Sequence, residues 1–329
     1  MSASIASDDI VRTAADARAN SRPPLLVLEP LERFLDEHGL GAGAIDASPI
    51  GEGHSNVTYL LRRGEVEIVL RRPPRPPLPP SAHDVLREAR LLRALRDTPA
   101  RAPVVLAVCD DAELIGCPFY VMERIAGEVM VADIPAPLDT PAERRRISEQ
   151  LIEALVEIHA VDWLAVGLEG FGKPTGYLER QLRRFRGLWE VNKTREIPAV
   201  ERVAAWLGEH MPDSGPATIG DPLADLGYLC MMWTESDDPE GGMRAALGGV
   251  TRREGFPTRA ELIDSYELRT GRSMRDLRWY TTLAVWKSIV FMEGNYKRAV
   301  AGTTDDPYLK TFGDGVLELA RQAESIAYA

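Results

Sequence analysis

The sequence predicts an α+β protein with two lobes, in which a small antiparallel β-sheet lobe with one helix precedes a larger, mainly helical lobe. Short apolar runs separated by glycine and proline turns occupy residues 25–123, a pattern typical of antiparallel strands. From residue 124 onward, apolar residues recur at helical spacing instead. Residues 1–24 are polar and alanine-rich, so we expect a flexible tail there, an N-terminal lobe over 25–123 and a helical lobe over 124–329.

The N-terminal lobe is predicted to contain a leading helix, three strands, a second helix and two more strands. The leading helix closes at Gly39 and Gly41. Residues 51–73 are interpreted as a strand, a polar glycine turn, a second strand, a turn around Gly64 and a third strand. The remaining predicted ranges are 30–39 and 81–97 for the two helices, 66–71 for the third strand, and 103–111 and 118–125 for the last two strands.

The second lobe is predicted to be built from long amphipathic helices. The clearest of them covers residues 141–162, where Pro141 stands at the start and Leu151 and Leu155 lie on one apolar stripe. Further helices are expected at 177–191, 199–210, 258–271 and 276–302. The aromatic residues of the last helix recur at helical spacing, which favours core positions over a ligand cage; they are Trp279, Tyr280, Trp286 and Tyr296.

Composition and charge narrow the classes of function. The 39 basic and 50 acidic side chains give a net charge of −11, which argues against general binding to nucleic acid or to an anionic membrane. The three cysteines form no metal or disulfide pattern. The first residues lack the features of a signal peptide, and no apolar run approaches the ~20 residues that span a bilayer. We therefore expect a cytoplasmic protein, with its oligomeric state left open.

One arrangement of residues suggests a site for a nucleoside triphosphate. Such a site needs backbone amides, a cation against the phosphates and an acid that holds the cation in place. The glycine turn 51-GEGHSN-56, then Arg71 at a strand end, then Glu88 on the next helix, supply these parts in order. Each part alone has a simpler explanation, because a glycine pair is commonly a hairpin turn and isolated Arg and Glu side chains are commonly surface charges.

Five segments taken together resemble the aminoglycoside phosphotransferase and choline-kinase-like family, which has a protein-kinase-like fold. The similarity runs from about Leu31 to Gly302 and is strongest to the branch related to kinase domains fused to acyl-CoA dehydrogenases. The segments are GEGHSNVTYLL, VEIVLRRPP, PSAHDVLREARLLRAL, PFYVMERIAGEV and GDPLADLGYL.

This resemblance implies an ATP-dependent phosphotransferase that uses Mg²⁺ and acts on a hydroxyl group of a small molecule. It implies that Arg71 contacts the α- and β-phosphates and that Glu88 is its partner on the helix. It also implies that the backbone of residues Met122 to Ala126 meets the adenine. The implied nucleotide-binding residues are Gly51, Gly53, His54, Ser55, Asn56, Arg71, Glu88, Glu123 and Ile125.

The family's catalytic segment is missing from this sequence. Members carry an HGDxxxxN loop with the catalytic Asp and a magnesium-binding Asn, and a downstream DWE whose Asp binds magnesium. Neither motif occurs in the 329 residues, since residues 211–229 pass directly from the preceding helix into GDPLADLGYL. The sequence therefore assigns no catalytic residue and no metal ligand. The gap is an in-frame loss between short repeats, an error of the gene model, or a long-fixed feature.

The acids that remain near the gap have a structural interpretation. Asp221 and Asp225 stand where the family braces the catalytic loop and caps the next helix, and recruitment as a replacement magnesium ligand is the alternative. His159 is expected to pack structurally. For the whole chain, three hypotheses follow: a phosphotransferase with impaired turnover, a catalytically silent nucleotide-binding or interaction module, or a fold damaged by the deletion.

Overall fold

The structure, a computed structural model, divides the chain into two compact units, Met1–Gly127 and Glu128–Ala329. The first carries the β-sheet and the second is helical, as the sequence predicts. The residues that the structure describes are 9–50, 56–76, 78, 83–130, 133–173, 175–213, 220–239, 242–243, 249–303 and 306–329.

The N-terminal unit is organised around a five-stranded antiparallel sheet. Its strand order is β3-β4-β5-β7-β6. Two further short strands, β1 and β2, pair in parallel. The strands are β1 (Ile10–Val11), β2 (Leu26–Val27), β3 (Asp46–Pro49), β4 (Val57–Arg63), β5 (Val66–Arg72), β6 (Val105–Cys109) and β7 (Phe119–Glu123), and the helices are α1 (Ala14–Ala19), α2 (Leu28–Glu37) and α3 (Val85–Leu95).

Alternation along the strands gives the sheet two different faces, because successive side chains of a strand point to opposite sides. One face packs against α2, and its cluster of buried residues includes Leu31, Leu61 and Leu70. The other face forms a smaller cluster in which Val85 and Ala89 of α3 pack with Val105 and Tyr120. On β4, β5 and β7, the side chains that do not point into the α2-side core therefore point toward α3.

The first part of the chain departs from the predicted flexible tail over 1–24. Asp9 is buried and pairs with Arg22 at 2.9 Å and with Arg75. The backbone amides of Leu25 and Leu26 both donate to the Asp9 carbonyl. A capping box at Thr13 starts α1. The polar composition of residues 1–24 predicted a flexible tail. The structure instead places the buried Asp9 carboxylate between Arg22 and Arg75.

The helical unit contains the predicted long helices with boundaries shifted by three residues or fewer. It also contains α7, which was expected only as the helix that follows Asp221, and α10, which was not predicted. The helices are α4 (Pro141–His159), α5 (Tyr177–Asn192), α6 (Pro198–Glu209), α7 (Pro222–Met232), α8 (Arg259–Thr270), α9 (Leu277–Val300) and α10 (Phe312–Ala327).

Helix α9 forms the centre of the core of the helical unit. Trp279, Tyr280 and Trp286 are buried, as expected, and Tyr296 is half-buried. The two indole N–H groups donate to carbonyls of α6, Trp279 to Leu207 at 3.0 Å and Trp286 to Val200 at 3.1 Å. Each buried polar edge is thus satisfied, and the prediction of core positions is confirmed for these three residues.

The cysteines form no disulfide bonds. Cys109 and Cys230 are buried and Cys117 is half-buried, and all three are free. Within the described ranges, no helix combines the length and the apolar composition that crossing a bilayer requires.

Candidate functional site

Three neighbouring strands bring one residue each to the same place on the α3 face of the sheet. Arg71 of β5 lies opposite Thr58 of β4 and opposite Tyr120 of β7. Side chains directly opposite each other in an antiparallel pair lie on the same face. The register of the sheet therefore fixes a row Thr58, Arg71, Tyr120 below α3.

Helix α3 supplies the acidic partner of this row. Its N-cap is Asp84, which accepts a hydrogen bond from the Arg87 amide at 2.9 Å, so the helix begins later than the predicted residue 81. Glu88 follows in its first turn. Arg71 Nε donates to Glu88 Oε2 at 3.0 Å, and Arg71 Nη1 donates to Thr58 Oγ1 at 3.1 Å. The structure thus joins the two side chains that the sequence pairs.

Asn56 extends the network toward the end of the glycine turn. Its Nδ2 donates to the same Glu88 oxygen at 3.1 Å. Its Oδ1 lies 3.0 Å from His83 Nδ1, and His83 adopts a positive φ of 62° just before the helix cap. Asn56 and Arg71 are consequently held by one carboxylate. The predicted residues Gly51, Gly53, His54 and Ser55 lie outside the described residues.

The guanidinium of Arg71 remains partly open. Its side chain is 27% exposed and that of Glu88 is 32% exposed. In the part of the chain that the structure describes, Arg71 Nη2 has no hydrogen-bond acceptor, while Nε and Nη1 each have one. An arginine that is fixed at two nitrogens, and whose third nitrogen has no acceptor among the described residues, is suited to bind a phosphate oxygen.

Tyr120 closes the buried side of the site. It is 1% exposed, and burial raises the pKa of its hydroxyl, with the Glu88 carboxylate raising the pKa further. The phenol therefore stays protonated over the physiological range. Sequence reasoning missed Thr58 and Tyr120, which the strand register brings next to Arg71. It also missed His83, which contacts Asn56 just before α3.

The two residues predicted to meet the adenine differ from each other. The Glu123 carboxylate accepts from the Val104 amide at 3.0 Å, and the Glu123 amide donates to the Val104 carbonyl at 2.9 Å, so this residue closes the β6–β7 pair. Ile125 lies beyond the strand with 63% of its side chain exposed. No hydrogen bond of Ile125 is found among the described residues. Whether either residue binds a nucleotide stays a prediction.

The remaining acids of the helical unit are engaged in contacts that support helices. Asp221 caps α7 through a bond from the Leu223 amide at 3.1 Å and accepts a second bond from the Tyr280 hydroxyl at 2.6 Å. Asp225 lies 3.2 Å from Nε2 of His159, whose Nδ1 lies 2.7 Å from the Tyr266 hydroxyl. These contacts fit the structural roles that the sequence predicts for Asp221 and His159.

Glu293 of α9 also serves the packing of helices. It is fully buried and accepts from the Thr194 amide at 2.9 Å and from the Thr194 hydroxyl at 2.6 Å. It also lies 3.7 Å from Arg195. Across the described ranges, no group of three or more His, Cys, Asp or Glu side chains is placed to hold a metal ion.

The chain is similar to a known protein family and to several longer proteins. Residues 46–219 match the model of the family described as "Phosphotransferase enzyme family". Acyl-CoA dehydrogenase family member 10 of Mus musculus is 30% identical over 304 residues, which cover 83% of this chain and 28% of that protein. The chain spans between 28% and 41% of the length of the curated relatives of this type. Those relatives are therefore much longer proteins.

Solved structures show the same fold. A putative aminoglycoside phosphotransferase of Ralstonia eutropha JMP134 has a TM-score of 0.75 and 26% identity, over 91% of this chain and 98% of that one. A thermostable mutant of aminoglycoside phosphotransferase APH(4)-Ia, in a ternary complex with AMP-PNP and hygromycin B, has a TM-score of 0.52 and 15% identity, over 91% and 98%. The kinase-like α+β fold predicted from the sequence is confirmed.

Proposed function

Because the chain belongs to the phosphotransferase enzyme family, we propose that it binds ATP through Arg71, Glu88 and Asn56 and transfers phosphate poorly or not at all. The observation that carries the proposal is the ion pair of Arg71 with Glu88 at 3.0 Å, which leaves one guanidinium nitrogen open. Kinases of this fold use a cation held by an acid on a helix to neutralise the phosphates.

The contacts around Arg71 support a role toward an anion. Glu88 Oε2 accepts hydrogen bonds from Arg71 Nε and from Asn56 Nδ2, so one carboxylate oxygen holds both side chains in place. Thr58 fixes the plane of the guanidinium from the other side. A donor held in position before the ligand arrives loses little entropy on binding, which strengthens the contact.

Magnesium does not fit the residues that are present. A Mg²⁺ ion takes near-octahedral oxygen ligands from one or two carboxylates, substrate phosphates and water. The family's carboxylate and amide ligands belong to HGDxxxxN and DWE, which the 329 residues lack. Asp221 is already bonded by an amide and a phenol. Since positioning and charge stabilisation account for most phosphoryl-transfer catalysis, their loss predicts very slow turnover.

The alignment with the mouse relative is in line with a missing internal segment. It extends over 304 residues but takes in only 83% of the 329 residues of this chain, so the relative contributes residues without a counterpart here. This supports a loss relative to the family. The second candidate function is the limiting case of the first: a nucleotide-binding module that transfers no phosphate to the hydroxyl of a small molecule.

Thermal unfolding in the presence of ATP tests the proposal. We expect ATP to raise the melting temperature of the wild-type protein equally with EDTA and with Mg²⁺, because the described residues bind the phosphates without a metal. The variant Arg71→Gln should lose most of this shift. Arg62→Gln, a change of an exposed arginine on neighbouring β4 that pairs with Glu67, is the matched control and should keep it. A shift that requires Mg²⁺, or one that Arg71→Gln retains, would refute the proposal.

A further inference from the structure

One lysine of the helical unit, Lys287 of α9, has surroundings unlike those of the other four lysines of the chain. It is half-buried, and among the described residues its ammonium group has neither a hydrogen-bond acceptor nor an ion-pair partner. The ammonium nitrogen instead lies 4.7 Å from the centre of the Phe185 ring of α5. The other lysines are exposed or bonded: Lys173 and Lys310 are exposed, Lys193 Nζ lies 3.0 Å from Glu190, and Lys297 Nζ donates to the Val191 carbonyl at 2.6 Å.

Aromatic rings form the apolar surroundings of this amine. The Phe185 ring packs edge-on against Phe291, which lies one turn after Lys287 on α9, with the ring centroids 5.2 Å apart. Phe291 is 52% exposed, so this apolar surface continues to the solvent. Burial beside apolar groups removes water from an ammonium group and disfavours its charged form. A cation over a ring gains some of this energy back, but only a part of it.

Charged groups on the neighbouring helices act on the same amine. Arg184 of α5 is exposed and has no hydrogen bond or ion pair among the described residues. Burial lowers the pKa of Lys287 and the like charge of Arg184 lowers it further, whereas the Asp225 carboxylate of α7 acts in the opposite direction. The net effect is a larger fraction of neutral amine, which is the nucleophilic form of lysine.

We propose that Lys287 is a nucleophilic amine that forms a Schiff base with small carbonyl compounds bearing an anionic group, which Arg184 attracts. The amine nitrogen attacks the carbonyl carbon, a C=N bond replaces the C=O bond, and the oxygen leaves as water with both hydrogens of the neutral amine. The step needs no oxidant or reductant. Lysines that react in this way are activated by an apolar environment or by a neighbouring cation, and Lys287 has both. The site is independent of the nucleotide-binding residues of the N-terminal unit.

Competition among the five lysines of the intact chain tests the nucleophilicity of Lys287. The protein is incubated at neutral pH with limiting glyoxylate, imines are reduced with cyanoborohydride, and the labelled lysines are quantified by mass spectrometry. Lys287 should react about fivefold faster than the exposed Lys310, although it is less accessible. Lys193 should react more slowly than both, because hydrogen bonds to Glu190 and Glu196 raise its pKa. Labelling of Lys287 no faster than that of Lys310 would overturn the proposal.

The preference for an anion is tested by comparing glyoxylate with its neutral methyl ester. The rate of Lys287 labelling, divided by that of Lys310, corrects for the different reactivity of the two reagents. This ratio should be about threefold larger for glyoxylate, and Arg184→Gln should remove the difference, as expected for one exposed ion pair. Arg183→Gln, a change of the adjacent exposed arginine, is the matched control and should preserve it. Equal ratios for the two reagents, or a difference that Arg184→Gln retains, would contradict the role of Arg184.

Two further variants separate the chemistry of Lys287 from its packing. Lys287→Arg keeps a cation next to Phe185 but has no amine that forms a Schiff base. It should lower total glyoxylate incorporation by about half or more and leave the labelling rates of the other four lysines unchanged. Asp225→Asn removes the carboxylate that favours the charged amine, so Lys287 should be labelled about twofold faster. Unchanged total incorporation in Lys287→Arg, or slower labelling in Asp225→Asn, would refute the assignment.

Discussion

The two units of the molecule use their charged side chains in different ways. In the N-terminal unit, Arg71 and Glu88 form a pair of which about a third of each side chain is exposed, and Arg71 keeps an open donor. In the helical unit, Asp221 accepts hydrogen bonds with both carboxylate oxygens, from the Leu223 amide and from the Tyr280 hydroxyl. The buried Glu293 accepts from Thr194 with Oε1 only.

This contrast separates residues that can still bind a ligand from residues that hold helices. A side chain that is oriented by two contacts and has a third atom free adds a ligand contact at low entropic cost. A carboxylate whose oxygens are already bonded must break those bonds before it can bind a metal. Asp221 is therefore a structural carboxylate, whereas Arg71 keeps one guanidinium nitrogen without an acceptor among the described residues.

The largest effect that this contrast predicts is on turnover. Kinases of this fold typically transfer about 1–100 phosphates per second. We expect this chain, supplied with ATP, Mg²⁺ and a panel of hydroxylated small molecules, to be at least ~10³-fold slower, because the catalytic Asp and the metal ligands are absent. Release of labelled phosphate under single-turnover conditions measures this. A rate within the ordinary range would break the contrast, because the helical unit would then contain a working catalytic group.

The next largest effect concerns the stability of the helical unit. Asp221→Ala removes a helix cap and an acceptor of the buried Tyr280 hydroxyl, so the free energy of unfolding should fall by about 2 kcal/mol. Chemical denaturation measures it. Asp225→Ala is the control, because that carboxylate is 69% exposed, and its cost should stay below about 1 kcal/mol. ATP affinity should not change in either variant; a loss of ATP binding in Asp221→Ala would give Asp221 a ligand role instead.

A smaller effect is expected when the acid of the N-terminal pair is removed. Glu88→Ala releases Arg71 and Asn56 from their shared acceptor, so the guanidinium is no longer held for the phosphates. ATP affinity should fall about fivefold, as a lost orienting contact to a charged group predicts. Calorimetric titration measures it. Tighter ATP binding in Glu88→Ala would mean that this carboxylate acts mainly by repelling the phosphates.

The stability of both units is also expected to depend on alkaline pH. Burial raises the pKa of Tyr59 from 10.0 to about 12, and burial together with the Asp221 carboxylate raises the pKa of Tyr280 from 10.0. The unfolded chain releases these protons near pH 10 while the folded chain retains them, so the free energy of unfolding should fall as the pH rises above 10. Tyr280→Phe should make this fall shallower, by at most about 1.4 kcal/mol per pH unit. An unchanged slope would show that Tyr280 ionises normally in the folded chain.

The sequence was sufficient for those features that repeat along one segment. Helical spacing predicted α9 and its buried Trp279 and Trp286, and strand alternation predicted β4 and β5. The pairing of Arg71 with Glu88 was predicted from their order along the chain and from the resemblance, and the structure places the two at 3.0 Å. Binding of a nucleotide by these residues stays a prediction.

Features that depend on distant partners were missed. Thr58 and Tyr120 join the site only through the register of three strands, which no single strand encodes. The ordered residues 9–24 depend on Arg75, more than fifty positions away along the chain. The prediction of a tail used local composition, and a buried ion pair overrode it.

The most direct test of phosphate binding by Arg71 compares the affinity for ATP with the affinity for adenosine. The dissociation constants of both for wild-type protein and Arg71→Gln are measured by equilibrium dialysis in EDTA, with Arg62→Gln as the control. We expect Arg71→Gln to weaken ATP binding about tenfold or more and to leave adenosine binding unchanged, because the guanidinium contacts the phosphates and not the base. Equal loss of ATP and adenosine binding, or no loss of either, would contradict it.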